Sequence, residues 1–320
     1  MEAPNPVLIQ NPPPGAPGRH AIPLVLIHDG GGTVFSYYFL GDLERRLYAI
    51  SDPRFNTDEK WDGGIAQMGR HYAGLIKTVI TGGQVILGGW SLGGLTAVNA
   101  ARILADDPAI DVVGIILIDT ICPIPPPGKT WVEVEWPAPV KQRKIEWSAK
   151  TREDTRAAIE KSFAESTKMA WEWGPQAPLW EADDGTVLTP PPAILLRARE
   201  KVPVEGGSMK PLRRFSADIA RGHWESLVRF VSLIPEVLSS KTKLTLILLV
   251  VLIDIWRDDR LLGWNHYRKG FVSRVLDIPG NHYGAFDKEN LFTLNEEVKA
   301  ALKIIDGLAG EDDDWGGIAG

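Results

Sequence analysis

The sequence predicts an α/β fold in which a mostly parallel central sheet is covered by helices on both faces. Several apolar runs are typical of buried strands, and helix-like segments separate them along the chain. Strands that are apolar throughout indicate a parallel sheet, because helices cover both of its faces. A glycine-flanked serine between one such strand and a helix is the second observation. The 320 residues suffice for one such domain with an inserted subdomain.

Composition indicates a globular protein and excludes several classes of function. Hydrophobic residues make up 44% of the chain and charged residues 24%. The net charge of −6 gives no support to nucleic acid or a membrane as a partner. The single cysteine, Cys122, excludes an internal disulfide and a cysteine-cluster metal site, and we expect no metal or cofactor. No secretory signal is visible, so we expect a cytoplasmic protein.

The N-terminal part supplies the first predicted elements. Residues 1–20, rich in proline, glycine and asparagine, are expected to form an extended lead-in. The apolar run 23–28 predicts a buried strand, which leads into the glycine-rich turn 29–32. Helices are predicted over about 36–48 and over 64–80.

The most informative motif is Gly-Trp-Ser-Leu-Gly at 89–93, between the apolar run 85–87 and a helix-like segment over 95–104. Strand, Gly-x-Ser-x-Gly and helix in this order predict a nucleophile elbow and an α/β-hydrolase fold. Glycines are needed there because side chains would collide across the sharp turn. The helix N-terminus favours negative charge developing at Ser91. We therefore predict that Ser91 is a nucleophile; the alternative is a glycine-rich loop.

The alternation of strands and helices continues after the elbow helix with a predicted buried strand over 112–119. Segment 120–190 then interrupts it. It opens with a proline-rich stretch and holds half of the twelve tryptophans, together with one charged helix candidate at about 152–169. We interpret it as a lid subdomain inserted over the catalytic face. Its aromatic side chains would either line an acyl pocket or anchor the insert.

The sheet is expected to resume after the lid. Strands are predicted over 193–197 and 272–278, and a closing helix over about 288–308. The hydrolase domain is thus predicted to span 21–308. The remaining residues, 309–320, form an acidic, glycine-rich tail that we expect to be disordered.

A nucleophilic serine needs a base to accept its proton. In folds of this type the histidine comes last, on a loop after the final strand. Of the three histidines that follow Ser91, His282 lies between the last strand and the last helix and is the predicted base. His266 is interpreted as a surface or capping residue, and His223 is the third candidate.

Position alone leaves open which acid orients the base. Glu200 follows the strand over 193–197, the usual position in hydrolases, whereas Asp119 ends the strand after the elbow helix. Either carboxylate can reach the imidazole, because adjacent parallel strands end at the same sheet edge. The structural alternatives are a surface salt bridge for Glu200 and a helix N-cap for Asp119.

The reaction also needs donors for the oxyanion. We predict the backbone N–H of Leu92 as one donor. The other is expected from the glycine turn, at Gly30 or Gly31, where backbone amides can approach a substrate oxygen. A phosphate-binding loop is the alternative for this turn, but a following Lys-Ser/Thr pair is missing.

Seven groups of motifs carry a resemblance to a known family. They are Ile27–Gly32, Tyr37–Leu43, Gly88–Gly94, Leu117–Thr120, Ala193–Ala198, Asp254–Arg257 with Leu262–Trp264, and Ile278–Tyr283. In combination they resemble the thioesterase domains of nonribosomal-peptide and polyketide synthases, most closely the terminal thioesterases of fungal synthetase-like enzymes. The resemblance covers about 20–305, with gaps in the lid. It implies an α/β-hydrolase fold with a mobile lid, and Asp119 as the acid.

The resemblance also implies a substrate and a partner. Ser91 would take an acyl chain from the phosphopantetheine thioester of an acyl or peptidyl carrier protein and release it by hydrolysis or cyclisation in secondary-metabolite biosynthesis. Relatives are commonly the last domain of a megasynthase, whereas this chain starts at Met1 without such domains, so we expect action in trans. Lys141, Arg143 and Lys144 form a candidate docking patch for an acidic carrier; the alternative is an ordinary solvated charge run.

One segment departs from the resemblance. Relatives are expected to need only a short link before 254–257, yet this chain has an insert at about 207–252 that ends in an apolar run too short to span a membrane. One hypothesis is a retained intron translated in frame, at about 231–250; sequencing the transcript tests it. The other is a true lid insertion.

Three functions follow from these observations. The first is a thioesterase acting on a carrier-bound acyl chain. The second is a general carboxylesterase for small esters. The third is a non-catalytic binding protein, if the insert at 207–252 disrupts the site.

Overall fold

A single seven-stranded sheet forms the centre of this computed structural model, which describes residues 4–129, 134, 151–182, 184–203 and 253–315. The strands are β1 (Val7–Gln10), β2 (Leu24–Ile27), β3 (Leu47–Ile50), β4 (Gly83–Trp90), β5 (Ile110–Ile118), β6 (Ala193–Ala198) and β7 (Val272–Ile278). Their order in the sheet is β1-β3-β2-β4-β5-β6-β7, and among these described strands only the β1–β3 pair is antiparallel. The mostly parallel sheet expected from the apolar runs is therefore confirmed.

Helices cover both faces of this sheet. They are α1 (Gly64–Val79), α2 (Leu92–Leu104), α3 (Glu153–Gln176), α4 (Trp264–Tyr267) and α5 (Leu291–Trp315). The two faces of β2 show why its sequence is apolar throughout: Val25 and Ile27 pack into the core beneath α1 and α2, whereas Leu24 and Leu26 pack into the core beneath α5. Side chains of a strand alternate between faces, so a sheet covered on both sides needs apolar residues at every position.

The helix predicted over 36–48 is wrong. Phe35–Phe39 forms a short 3-10 helix, and Leu47–Ile50 is strand β3, which pairs with β2 residue for residue. A four-residue strand is too short to show a clear period, and pairing within the sheet overrides the local pattern. The predicted lead-in is also more than extended chain, because Val7–Gln10 pairs with β3 as β1.

Two helices are longer than predicted. The helix candidate at 152–169 is α3, which continues to Gln176. The closing helix α5 begins at Leu291 and continues to Trp315, so that part of the tail expected to be disordered is helical. The helical backbone continues into the acidic tail, because adding a residue to a helix that has already formed costs little free energy.

Several sequence-based predictions lie outside the described residues. These are the insert at 207–252 with the intron hypothesis, His223, the candidate docking patch at 141–144, and the last five residues of the tail. In the described part of the chain, no helix is both long and apolar enough to cross a membrane. The cytoplasmic location stays a prediction.

Candidate active site

Ser91 occupies the sharp turn between β4 and α2. Its backbone has φ 57° and ψ −117°, a conformation that costs free energy for a residue with a side chain. The Ser91 N–H donates to the carbonyl of Ile118 at 3.0 Å, which ties the turn to the end of β5. The structure therefore holds this serine in the strained geometry of a nucleophile elbow.

The flanking glycines are required by close backbone contacts. A Cβ at Gly89 would lie 2.5 Å from the carbonyl carbon of Gly93. A Cβ at Gly93 would overlap the carbonyl oxygen of Ile27. Any side chain at either position would push β2, β4 and α2 apart, which is the steric reason for the Gly-x-Ser-x-Gly pattern.

Three side chains distant in sequence meet at the carboxyl ends of the strands. Nε2 of His282 lies 3.0 Å from Oγ of Ser91, and Nδ1 of His282 lies 2.7 Å from Oδ2 of Asp119. Asp119 is fully buried and His282 is 3% exposed. Both hydrogen bonds have the lengths that proton transfer from serine to histidine requires. The structure thus brings together the predicted nucleophile, base and acid.

The turn after β7 positions His282. The side chain of Asn281 accepts hydrogen bonds from the N–H groups of Tyr283 and Gly284, at 3.1 and 3.2 Å, and so caps the short 3-10 helix that begins at His282. Gly280 has φ 75°, where a Cβ would contact the side chain of Asn290. The Gly-Asn-His sequence at 280–282 is therefore explained by the shape of this turn.

Asp119 is held by four donors. Besides His282, the backbone N–H of Ala198 donates to Oδ1 at 2.8 Å, and the two Nη atoms of Arg257 donate to Oδ1 and Oδ2 at 2.6 and 2.9 Å. Burial acts to raise the pKa of Asp119, but the hydrogen bond from His282 and the charge of Arg257 outweigh it. The pKa of this carboxyl is held well below its usual range, so it stays ionised.

Arg257 is the residue that the sequence reasoning missed as part of the site. It lies in the Asp254–Arg257 motif of the resemblance, and its guanidinium is 1% exposed. Asp254 accepts a hydrogen bond from Nε of Arg257 at 3.0 Å and another from the N–H of Val202 at 2.7 Å. In the sequence Arg257 looks like any other charged residue, because neither its burial nor its two carboxylate partners can be read from its neighbours.

The rival candidates lie elsewhere. Glu200 is exposed, and its backbone N–H pairs with the carbonyl of Gly280. Nδ1 of His266 lies 3.0 Å from the carbonyl oxygen of Ile124, and its ring packs edge-on against Trp256. His266 is thus a packing residue at the side of the core. These contacts favour Asp119 over Glu200 and His282 over His266.

Gly30 and Leu92 line the cavity beside Ser91. The amide of Gly31, the other predicted oxyanion donor, donates instead to Oδ1 of Asp29 at 2.8 Å. An N–H already bonded to a carboxylate is poorly placed to receive a new oxyanion. The hypothesis for the second donor therefore rests on Gly30 rather than Gly31.

The cavity above Ser91 has a mostly apolar wall. Helix α3, from the predicted lid, forms part of this wall and is tied to the glycine turn because the Ser166 hydroxyl donates to the Gly30 carbonyl at 2.8 Å. Among the described residues of this wall Asp29 is the one that carries a carboxyl group, and burial raises its pKa to about 7. Among the described residues the wall consists of Asp29, Gly30, Trp90, Leu92, Leu95, Ile121, Phe163, Ser166, Ala170, Ile253 and Tyr283, with Ser91 and His282 at its floor.

Two of the lid tryptophans anchor the lid instead of lining this cavity. Trp173 is fully buried against Trp264, with ring centroids 6.0 Å apart. Nε1 of Trp180 donates to the hydroxyl of Tyr267 at 2.9 Å. Such aromatic packing fixes α3 against α4. Trp131, Trp136 and Trp147 lie outside the described residues.

The chain matches the sequence model of the alpha/beta hydrolase family over residues 24–288. It is 33% identical to the probable thioesterase gloN of Glarea lozoyensis over 87% of this chain and 89% of that protein. It is also 33% identical to the thioesterase frbD of Dothideomycetidae sp., over 91% and 93% of the two chains.

Solved structures show the same fold at lower identity. The thioesterase domain of NocB from the nocardicin cluster superposes with a TM-score of 0.55 at 19% identity, covering 90% of this chain and 96% of that domain. The Vlm2 thioesterase domain bound with a dodecadepsipeptide superposes with a TM-score of 0.52 at 17% identity, covering 92% and 97%. These likenesses concern the fold.

Proposed function

The chain belongs to the alpha/beta hydrolase family, and on this basis we propose that it is a thioesterase of secondary-metabolite biosynthesis whose catalytic triad is Ser91, His282 and Asp119. The observation that carries the proposal is the pair of hydrogen bonds that His282 forms with Ser91 and with Asp119. The extensive similarity to fungal thioesterases supports the choice of a thioester as substrate.

Acylation begins at Ser91. Its Oγ attacks the thioester carbonyl carbon while Nε2 of His282 accepts the hydroxyl proton. The C–S bond then breaks, and His282 returns the proton to the leaving sulfur, so that a free thiol departs and the acyl group remains on Oγ. Asp119 stays ionised throughout and stabilises the imidazolium through its bond to Nδ1.

Negative charge on the substrate oxygen is stabilised next to the start of α2. The N–H groups of Leu92 and Gly30 are the proposed donors, and the dipole of α2 adds to their effect. Removing one such donor in other enzymes costs about 10²–10³ in rate. Because these donors belong to the backbone, they are fixed before the substrate arrives.

Release of the acyl group again uses His282 as the base. Water, activated by His282, attacks the ester carbon and yields an acid; an internal hydroxyl or amine of the acyl chain yields a ring instead. The apolar wall of the cavity supports an acyl chain that is largely hydrocarbon or aromatic. We propose an acyl or peptidyl carrier protein with a phosphopantetheine arm as the donor of this chain.

Intact mass after treatment with a fluorophosphonate probe tests the nucleophile. The expected result is one adduct on the wild-type chain and none on Ser91→Ala. A folded wild-type sample without an adduct would contradict the triad and favour a non-catalytic binding protein.

Substrate preference tests the thioesterase assignment. We expect octanoyl-phosphopantetheine to be hydrolysed with a higher kcat/KM than p-nitrophenyl octanoate, although the latter has the better leaving group. Faster turnover of the p-nitrophenyl ester would point instead to a general carboxylesterase. Mass spectrometry of products from a hydroxyacyl thioester then separates hydrolysis from cyclisation.

A further inference from the structure

Arg257 is a buried cation that grips the acid of the triad. Its Nη1 and Nη2 donate to the two oxygens of Asp119, and both side chains are almost completely buried. Two parallel N–H···O bonds fix a carboxylate in position and in plane. Since Oδ2 of Asp119 also accepts from His282, Arg257 holds the atom that orients the base.

Asp254 is a second carboxylate on the same guanidinium. Its Oδ1 accepts from Nε of Arg257, and its Oδ2 accepts from the backbone N–H of Val202. Asp254 is 5% exposed, so its charge is poorly screened by water. Asp119, Arg257 and Asp254 together carry a formal charge of about −1. A protonated His282 beside them carries a charge of about +1.

Among the described residues, further charged and titratable groups lie on the segments next to this set. The guanidinium of Arg197, on β6, donates to the main-chain carbonyl of Arg257 and pairs with Asp277. Neighbouring segments also carry Lys201, which is paired with Asp258, the buried hydroxyl of Tyr283, and Asp29 in the cavity wall.

We propose that Arg257 is a positioning residue for the triad. Asp254 partly neutralises the guanidinium of Arg257 and so limits the effect of this positive charge on Asp119. This inference rests on the proposed function, because it takes His282 as the base for Ser91. The cation weakens the attraction between Asp119 and an imidazolium at His282, whereas Asp254 restores part of that attraction. The two residues together therefore set how strongly Asp119 attracts an imidazolium at His282.

Two charge-removing variants have opposite expected effects. In Arg257→Gln, Asp119 acts unopposed on the imidazolium, so the midpoint of the acid limb of fluorophosphonate labelling rises by about one pH unit. In Asp254→Asn, Arg257 is no longer neutralised, so the midpoint falls by about half a pH unit. A purely structural loss lowers the rate at every pH and leaves the midpoint in place.

Arg257→Lys separates charge from geometry. Lysine keeps the positive charge but lacks the planar fork, so the labelling rate is expected to fall about tenfold while the midpoint stays near the wild-type value. Lys201→Gln is the matched control, because it removes an exposed cation paired with Asp258 and is expected to change neither the rate nor the midpoint.

The measurement is the labelling rate from pH 5 to pH 9, with circular dichroism at each pH to establish folding. If Arg257→Gln does not fold, Asp254→Asn and Arg257→Lys carry the test. Labelling of the wild type with no downward shift in folded Asp254→Asn would overturn this inference alone. A folded wild type that is not labelled at Ser91 would overturn the proposed function and this inference with it.

Discussion

The hydroxyl of Tyr37 bridges the backbones of β2 and β4 at Trp90. The N–H of Trp90 donates to this hydroxyl at 2.9 Å, and the hydroxyl donates to the carbonyl of Ile27 at 2.6 Å. β2 ends at Ile27, whose partner on β4 is Gly89, so the hydroxyl bridges the carbonyl of the last residue of β2 and the N–H of the next residue of β4. Tyr37 therefore extends the hydrogen bonding of the sheet up to the residue before Ser91.

Replacing Tyr37 by phenylalanine is expected to lower the free energy of unfolding by about 1–3 kcal/mol, because a buried N–H and a buried carbonyl lose their partner. Denaturant unfolding measures the change. The matched control is Tyr38→Phe, whose ring is 54% exposed and for which we expect a change within about 0.5 kcal/mol. Equal effects of the two substitutions would contradict the bridging role of Tyr37.

Asp119→Asn is expected to reduce the rate of Ser91 acylation by about 10⁴, because the amide cannot hold His282 in the tautomer that accepts the serine proton. Glu200→Gln changes the rival acid at an exposed position. We expect its acylation rate to stay within about a factor of two of the wild type, because surface substitutions usually have small effects. Fluorophosphonate labelling kinetics compare the two. A large loss in Glu200→Gln with little change in Asp119→Asn would reverse the assignment of the acid.

Asp29 makes stability depend on pH. Burial raises the pKa of its carboxyl to about 7 in the folded chain. Below the unfolded value near 4 it is protonated in both states; between about 4 and 7 the folded state holds the extra proton, so stability falls as pH rises through this window.

Asp29→Asn is therefore expected to stabilise the chain at pH 8 relative to the wild type, and less at pH 5. The asparagine oxygen can still accept the hydrogen bond from Gly31. Urea unfolding at the two pH values measures the difference, with Asp111→Asn as a control at an exposed position of β5. The expectation fails if the gain is the same at both pH values.

Ser166→Ala is expected to lower acylation by about three- to tenfold and stability by about 1 kcal/mol, since the Gly30 carbonyl loses its buried donor and the glycine turn is less firmly held. Melting curves and labelling rates measure both effects. Ser162→Ala, one turn earlier on α3, is the control, with smaller effects expected in each. A Ser166→Ala variant that melts earlier but labels at the wild-type rate would show that the tether does not position Gly30.

Local sequence pattern was sufficient for Ser91 and His282, because the elbow and the turn after the last strand are each defined by neighbouring residues. It was not sufficient for Asp119, since two strands offered a carboxylate at the same edge and only three-dimensional contacts separate them. The oxyanion role of the glycine turn stays a prediction, and the sequence could not show that the side chain of Asp29 folds back on the amide of Gly31.

Features created by distant pairing could not be predicted. Leu47–Ile50 forms a strand because β2 lies beside it, and four residues carry no period of their own. Arg257 is 138 residues from Asp119, so nothing near it in sequence marks it as a partner of the acid. The fold class was nevertheless predictable, because buried parallel strands must be apolar at every position.

The hydrogen bond from Val202 to Asp254 has a consequence for how this gene can change in length. It ties together two positions that are 52 residues apart in sequence. The entropy of closing a flexible chain grows only with the logarithm of its length. Insertions and deletions between these two anchors are thus thermodynamically cheap, and a version trimmed across 207–252 is expected to keep the same core. This junction is a natural place to lengthen or shorten the chain, or to graft a new segment next to the cavity that Ile253 and Ser91 both line.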